Sequence, residues 1–293
     1  MLDRPLLHGF TVDVEDWFHI LEYQGAPQPD AWARQPSRVT LATDRMLALL
    51  AQHNVHATFF VLGWVAERHP DLIARIAEAG HEIGSHGHLH RLVGDLGRDG
   101  FARDLDASLA AISKASGRDV QCFRAPGFSI GDEQTWAFPI LASRGIRYDA
   151  SLFLANRAHG GMLLHRSRPF DLVLDDGRSI TEIPTVPRLI AGRGLSYAGG
   201  GYLRLLPMWL IEQSFQAAER DGTPAVVYLH PRELDPEQPR MALPPVRRFK
   251  YYVGLDGVQA KVEALFSRHR FGPVSEVARH TPRDRPVHIG AVS

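Results

Sequence analysis

Short apolar runs alternate with amphipathic stretches over the first 150 residues, and glycine closes most of these pairs, which predicts a succession of β-α units. Residues 6–14 read as a strand, 40–53 as a helix, and the β-branched and aromatic run 55–62 as a second strand. Pro70 opens a helix through Leu72, Ile73 and Ile76 that Gly80 ends, because proline suits the first helical turn and glycine the position just past the last. Residues 81–84 give a third strand. Phe101, Leu105, Leu109 and Ile112 recur at spacings of four and three, placing one apolar stripe on a helix that Gly117 closes. A short strand follows around Cys122 and Phe123, and Trp136, Ile140 and Leu141 mark a further helix ending at Gly145.

The rhythm breaks after Tyr148. Residues 171–183 predict two strands around an Asp176-Gly177 turn, so a hairpin insertion is expected at about 165–185. Residues 192–201 hold five of the 26 glycines. Pro207 starts a helix through Ala218, residues 225–229 read as a strand, and a last helix spans about 257–268. No repeat and no long linker interrupts the chain, so a single α/β domain built on one sheet or barrel is expected over residues 1–278. Residues 279–293, with two prolines and few apolar side chains, read as a loose tail.

Composition narrows the class. At 44% apolar and 23% charged residues, the 293-residue chain can bury a sizeable core. Lys plus Arg (33) equals Asp plus Glu (33), which leaves no overall basic field for nucleic acid or anionic lipid. The single cysteine, Cys122, excludes an intramolecular disulfide and a cysteine-rich zinc site, and suits a reducing compartment. Asp3, Arg4 and Pro5 stand where a signal peptide needs a basic start and an apolar run. No stretch approaches the roughly 18 apolar residues of a membrane span. These features predict a protein without an integral membrane segment, in the cytosol or loosely at the inner membrane face; the sequence carries no signal for oligomeric state.

Four predicted strands end in ionisable side chains. His81-Glu-Ile-Gly-Ser-His86-Gly-His88-Leu-His90 holds four of the 15 histidines. His86 and His90, four apart on one side of a helical turn, can offer two imidazoles to one divalent ion, with Gly84 and Gly87 permitting a tight turn. The plainer alternative is a solvated histidine-rich loop. In Thr11-Val12-Asp13-Val14-Glu15-Asp16-Trp17, an extended chain puts Asp13 and Glu15 on one face. One can then act as a base while the other completes a two-histidine, one-carboxylate site; Asp16 joins only if the strand turns, and otherwise reads as a helix N-cap. Arg124, in Phe123-Arg124-Ala125-Pro126-Gly127, can fix a carboxylate or form a surface ion pair. His230, in Tyr228-Leu229-His230-Pro231, can supply a general acid or be structural. Cys122 reads as a small buried filler. All four clusters fall at C-terminal strand ends, where β/α barrels gather their active sites.

In order and spacing these segments resemble the polysaccharide deacetylases of carbohydrate esterase family 4, the NodB-homology group. Within it, the runs Val12-Asp-Val-Glu-Asp-Trp-Phe-His19, Glu82-Ile-Gly-Ser-His-Gly87, Phe123-Arg-Ala-Pro-Gly-Phe-Ser-Ile130, Gly199-Gly-Gly-Tyr202 and Leu229-His-Pro-Arg-Glu-Leu-Asp-Pro-Glu-Gln-Pro-Arg240 are similar to the exosortase-associated (PEP-CTERM locus) deacetylases. The resemblance runs from about Gly9 to Val277. It implies a distorted (β/α)7 barrel carrying the hairpin as an insertion. It makes Asp13 the catalytic base, Arg124 its tether, His230 the acid, and His86 and His90 metal ligands. The group's usual Asp-Asp pair is spread here into Asp-Val-Glu-Asp, and Gly87 stands where a Ser or Thr usually follows the first metal histidine. Strand alternation favours Glu15 as third ligand, with Asp16 as its competitor. Trp17, beside the base, and Pro126 are the candidate substrate contacts. The implied cofactor is one divalent ion, zinc by default for histidine-rich ligation, with cobalt or nickel as alternatives. The implied reaction is removal of acetyl groups from N-acetylhexosamine units of an exopolysaccharide or its lipid-linked precursor. Two other readings stand beside it: a metal-independent amidase acting on a small cyclic amide, and a carbohydrate-binding pseudoenzyme. The intact Asp13, His86 and His90 argue against both.

Overall fold

β1 (Leu7–Val14) has all eight residues buried, so it must lie inside a sheet with neighbours on both edges. The computed structural model describes residues 5–21, 23, 25–155, 159–190 and 193–290. In it β2 (Thr58–Val61), β3 (Glu82–Ser85), β4 (Cys122–Phe123) and β5 (Tyr148–Asp149) follow β1 in parallel, each hydrogen-bonded to the one before. β6 (Phe170–Leu174) and β7 (Ser179–Glu182) form the hairpin expected around Asp176-Gly177. A two-stranded sheet, β8 (Arg188–Ile190) with β9 (Arg193–Leu195), stands apart, and β10 (Val226–Leu229) returns to the free edge of β1. The parallel run is therefore β10-β1-β2-β3-β4-β5-β7.

Helices clothe this sheet. The short α1 (Pro29–Trp32) precedes α2 (Val39–Gln52), α3 (Gly63–Arg68), α4 (Pro70–Glu78), the long α5 (Val93–Ser116) and α6 (Ala137–Ser143); then come α7 (Gly200–Leu205), α8 (Met208–Asp221), α9 (Pro245–Tyr252), α10 (Val258–Phe266) and α11 (Val274–His280). As expected from the sequence, Gly117 closes α5 in the left-handed conformation (φ 67°). Along β1 the side chains of Phe10, Val12 and Val14 enter the large core beneath the helices. The intervening Thr11 and Asp13 face the other way, so strand alternation itself delivers polar groups to one side of the sheet.

That inner side is narrow. Leu7 of β1, Phe60 of β2, Cys122 of β4, Ile183 just past β7 and Val226 of β10 share one buried cluster, although β7 and β10 stand at opposite ends of the parallel run. The sheet is thus strongly curled, and among the described residues no ladder joins β7 to β10. Cys122 is a buried member of this cluster, its thiol pushed up by burial.

Three segments sit differently from the sequence reading. The hairpin is only half an insertion, because β7 pairs in parallel with β5 and so belongs to the main sheet. Within the residues read as a loose tail, β12 (Val287–Ile289) pairs in parallel with β6. β11 (Arg270–Gly272), unanticipated, pairs with the first residues of β1. Strands of three residues carry too little periodicity to announce themselves and form because an open edge is available.

Away from the polar cluster, His8 at the start of β1 accepts the Ala225 N–H through Nδ1 at 2.9 Å, and burial pulls its pKa down to about 4. Above pH 6.5 the ring is neutral folded or unfolded, and its contribution is fully present. Between 6.5 and about 4 only the unfolded chain takes up the proton, so stability falls by up to about 3 kcal/mol from this residue. Urea midpoints measured from pH 7.5 to 4.5 should show that loss, and His8→Asn should flatten it. An unchanged slope would mean the ring is not held neutral.

Candidate active site

Parallel pairing puts the C-terminal ends of β10, β1, β2, β3 and β4 side by side, and the polar residues stand there. Asp13 is the penultimate residue of β1 and Glu15 follows the strand; His86 follows β3, Arg124 follows β4 and His230 follows β10. Arg124 is fully buried and stacks over Phe60, with its guanidinium carbon 4.4 Å from the ring centroid. Its Nη1 donates to Asp13 Oδ1 at 2.8 Å and to Thr11 Oγ1 at 2.7 Å, and its Nε donates to the Ala150 carbonyl at 3.2 Å. The guanidinium therefore fixes the position of the Asp13 carboxylate. Beneath it lie two more buried carboxyls, Asp149 and Glu182. Burial raises both, Glu182 well above the carboxylate range, as expected of paired acids sharing a proton.

Glu15 is the focus. Its Oε1 lies 3.0 Å from His90 Nε2, 3.2 Å from His86 Nε2 and 3.6 Å from His230 Nε2. Burial opposes ionisation of Glu15, but the His90 and His230 imidazoles and hydrogen bonds from His86 and His90 outweigh it and hold the carboxyl well below its ordinary range. Burial lowers His86, and the charges of Asp13 and Glu15 outweigh that, leaving it above its ordinary value. Because His86 Nδ1 lies 2.7 Å from the Arg124 carbonyl, which can only accept, Nδ1 carries the hydrogen and Nε2 is the atom turned to Glu15. Imidazole lone pairs cannot face a carboxylate oxygen at these distances unless protons or a metal cation lie between them. The donor set, two imidazoles and one carboxylate within 4.8 Å of one another, fits a divalent ion.

A loop rather than a helical turn brings His86 and His90 together. Gly87 (φ 75°) and His90 (φ 49°) both take left-handed backbone, and a Cβ on Gly87 would stand 3.0 Å from Asp104 Oδ2. From α5, Asp104 receives the His88 and Leu89 N–H groups at 2.7 and 3.1 Å, and Ser108 Oγ donates to the Gly87 carbonyl at 2.9 Å. His81 and His88 lie elsewhere: His81 Nδ1 accepts the Ala57 N–H at 3.2 Å, and His88 Nε2 lies 4.0 Å from Glu67.

Asp16 is not with the histidines. Its carboxylate accepts the Ser37 hydroxyl at 2.5 Å and the N–H groups of Trp17, Arg38 and Val39 at 2.9–3.3 Å, which makes it a cap on the N-terminus of α2. Burial nonetheless raises its carboxyl above the ordinary value. The two anticipated substrate contacts also lie away from the cavity. Trp17 packs with Phe18 and Trp32 and donates Nε1–H to the Pro36 carbonyl at 3.0 Å, while Pro126 is buried against the Gly87 loop. The cavity itself, about 550 Å³, holds Asp13, Glu15, His86, His90 and His230 and is walled by Phe128, Tyr228, Arg232 and Tyr251.

Sequence reading missed three supports. His19 lines the cavity; its Nδ1 accepts the Asp16 N–H at 3.0 Å, and burial drives its pKa down to about 3. Glu233 is fully buried behind His230. Its Oε1 meets Arg204 Nη1 at 2.5 Å, and its Oε2 accepts the His230 N–H at 2.9 Å and lies 3.5 Å from Nδ1. Against burial, Arg204 and the contacts to His230 hold Glu233 at about 2. His19 and Glu233 fall within the quoted runs, but nothing in their spacing tells a buried partner from a surface residue. Arg204, near Tyr202, had no signal at all.

A second cluster, His8, Glu219 and His269, lies at the opposite ends of the strands. There the Ala225 N–H occupies His8 Nδ1, which puts the neutral ring's hydrogen on Nε2 and leaves no lone pair for a metal. The 830 Å³ cleft beside it carries Arg220, Arg270, Asp221 and Glu276, charges of both signs without a convergent donor set.

Comparison with known proteins gives two successive matches: residues 32–145 match the family described as polysaccharide deacetylase, and residues 150–279 match a domain of unknown function, DUF3473. The chain is 28% identical over 141 residues to a peptidoglycan-N-acetylglucosamine deacetylase of Bacillus cereus, covering 43% of this chain and 51% of that protein. It is 37% identical over 73 residues to a chitooligosaccharide deacetylase of Rhizobium leguminosarum bv. trifolii, covering 25% and 34% respectively. The matched part thus spans about a third to a half of these curated relatives. A crystal structure from Mycobacterium smegmatis, provisionally named as a polysaccharide deacetylase, superposes with a TM-score of 0.64 at 21% identity over 95% of this chain and 94% of that one. That likeness bears on the fold.

Proposed function

Because the chain carries a polysaccharide deacetylase domain of the NodB type, carbohydrate esterase family 4, joined to DUF3473, we propose that it is a metal-dependent hydrolase that removes acetyl groups from N-acetylhexosamine units of an extended glycan. The observation that carries this reading is the convergence of Glu15, His86 and His90 on one point beside an Asp13 held by a buried arginine. The sequence likeness to exosortase-associated deacetylases supports an exopolysaccharide or its precursor as the glycan.

Glu15, His86 and His90 would hold the ion, zinc by default for this donor set with cobalt or nickel as alternatives. A divalent cation held there would supply Lewis acidity to an acetamide carbonyl and a nearby water. Asp13 would take the water's proton as the water oxygen bonds to the acetyl carbon. Arg124 engages its Oδ1, which leaves Oδ2 as the accepting atom. As the C–N bond breaks, His230 delivers a proton to the departing sugar amine, giving acetate and a free amino sugar. The Glu15 and Glu233 carboxylates lie 3.6 and 3.5 Å from its two ring nitrogens, and the ring lines the cavity. Phe128, Tyr228 and Tyr251 offer apolar ring surface on which a sugar can lie, and Arg232 offers guanidinium donors to its oxygens.

The test is acetate release from N-acetylated oligosaccharides by the purified protein, before chelation, after it, and after return of zinc, cobalt or nickel. Release should vanish on chelation and return with metal, and His86→Ala and His90→Ala should lose both bound metal and release while keeping the circular dichroism of the parent. Release that survives exhaustive chelation would favour the metal-independent amidase. Glycan binding without any release would favour the pseudoenzyme.

A further inference from the structure

Among the described residues seven large apolar side chains are exposed, and five of them, Tyr202, Leu205, Trp209, Val246 and Phe249, belong to α7, the start of α8, and α9. These elements adjoin: Arg204 Nη2 of α7 donates to the Lys250 carbonyl of α9 at 2.5 Å. α7 is also held at its C-terminal end, since Lys261 Nζ donates to the Leu203, Arg204 and Leu206 carbonyls at 3.0, 2.7 and 2.7 Å. Val246 is 70% exposed, Trp209 63% and Phe249 55%.

Charge separates this patch from the rest of the surface. Residues 238–255 contain Arg240, Arg247, Arg248 and Lys250 and no acidic residue, in a chain whose net charge is zero. Arg248 and Lys250 are exposed, and among the described residues no carboxylate lies within ion-pair distance of either. Overall neutrality is irrelevant at this scale, because charges farther than about 8 Å are screened at physiological salt. The absence of an overall basic field therefore leaves room for a local one.

We infer that α9 and the α7–α8 corner form a docking surface for a bilayer rich in anionic phospholipid, with Trp209, Val246 and Phe249 entering the headgroup–acyl boundary and Arg248 and Lys250 meeting lipid phosphates. Isolated apolar tips flanked by cations match the composition of interfacial helices. Pro244, Val246, Arg247, Lys250 and Tyr251 also line the cavity that contains Glu15 and the histidines, so docking would hold its mouth at the lipid surface. The inference does not depend on the deacetylase reading.

Flotation of the purified chain with phosphatidylcholine vesicles, with and without phosphatidylglycerol, tests it. The chain should float with the phosphatidylglycerol vesicles only, should detach as salt rises, and should show a blue shift of indole fluorescence that Trp209→Ser diminishes. Each cation near an anionic surface is worth about five-fold in partition. Arg248→Glu should therefore weaken binding by about ten-fold or more, and Phe249→Asp by at least about as much. Both side chains are exposed, so circular dichroism should be unchanged. Failure to float, equal floating on neutral vesicles, or unaltered binding by both variants would overturn the inference. So would sedimentation showing a concentration-dependent dimer that Phe249→Asp abolishes in a chain that does not float, which would give the patch to a second copy.

Discussion

Asp13→Asn is expected to lower turnover by about 10²–10⁴-fold, the usual worth of a positioned general base, while metal content and fold persist. Asparagine keeps the size of the side chain, and its Oδ1 can still accept from Arg124 Nη1, the 2.8 Å contact that orients Asp13. What it lacks is the ability to take a proton. Arg124→Ala acts through the same residue and also damages the fold. The guanidinium is fully buried, bridges Asp13 and Thr11, and covers Phe60, so its loss strands a buried carboxylate at a cost of about 3–5 kcal/mol. Kinetics should therefore be read at a temperature where the variant remains folded. There the double variant should turn over little more slowly than Asp13→Asn alone, because the two substitutions disable one function. Additive losses would mean that Arg124 acts on the substrate; near-normal turnover by Asp13→Asn would remove Asp13 from the mechanism.

The second large effect separates two neighbouring acids. Glu15→Gln should weaken metal binding by more than about 10²-fold, since even the loss of an outer partner costs 10–100-fold, with little change in stability. Asp16→Ala should do the opposite. Metal binding should stay near normal while the chain loses about 1–2 kcal/mol, because the N-terminus of α2 is left without its acceptor. Asp16→Asn should lose less, since an amide oxygen still caps. Metal titration and urea unfolding of both variants decide the matter. Metal loss in Asp16→Ala with retention in Glu15→Gln would reverse the roles.

Local signals were strong where a residue's neighbours in sequence dictate its setting. Alternation along β1 put Phe10, Val12 and Val14 in the core and Thr11 and Asp13 on the opposite side. Glycine at 117 and proline at 70 bounded helices because their backbone preferences are intrinsic. The succession of strands ending in Asp13, His86, Arg124 and His230 was likewise visible, since each polar group follows directly on an apolar run. Tertiary structure alone decided what those groups meet. Glu15 turns to the histidines and Asp16 away because the N–H groups that Asp16 accepts lie on Arg38 and Val39, more than 20 residues along the chain. His86 and His90 converge through left-handed backbone at Gly87 and at His90, held by Asp104 and Ser108 from α5, and no spacing of four encodes that. Trp17 and Pro126 stand beside site residues in sequence, yet packing turned them into the body of the protein and walled the cavity with Phe128, Tyr228 and Tyr251. Periodicity reports which face of an element is apolar. Which partner covers that face, and which polar atom is left to answer another across it, follows only once every element competes for the same interior.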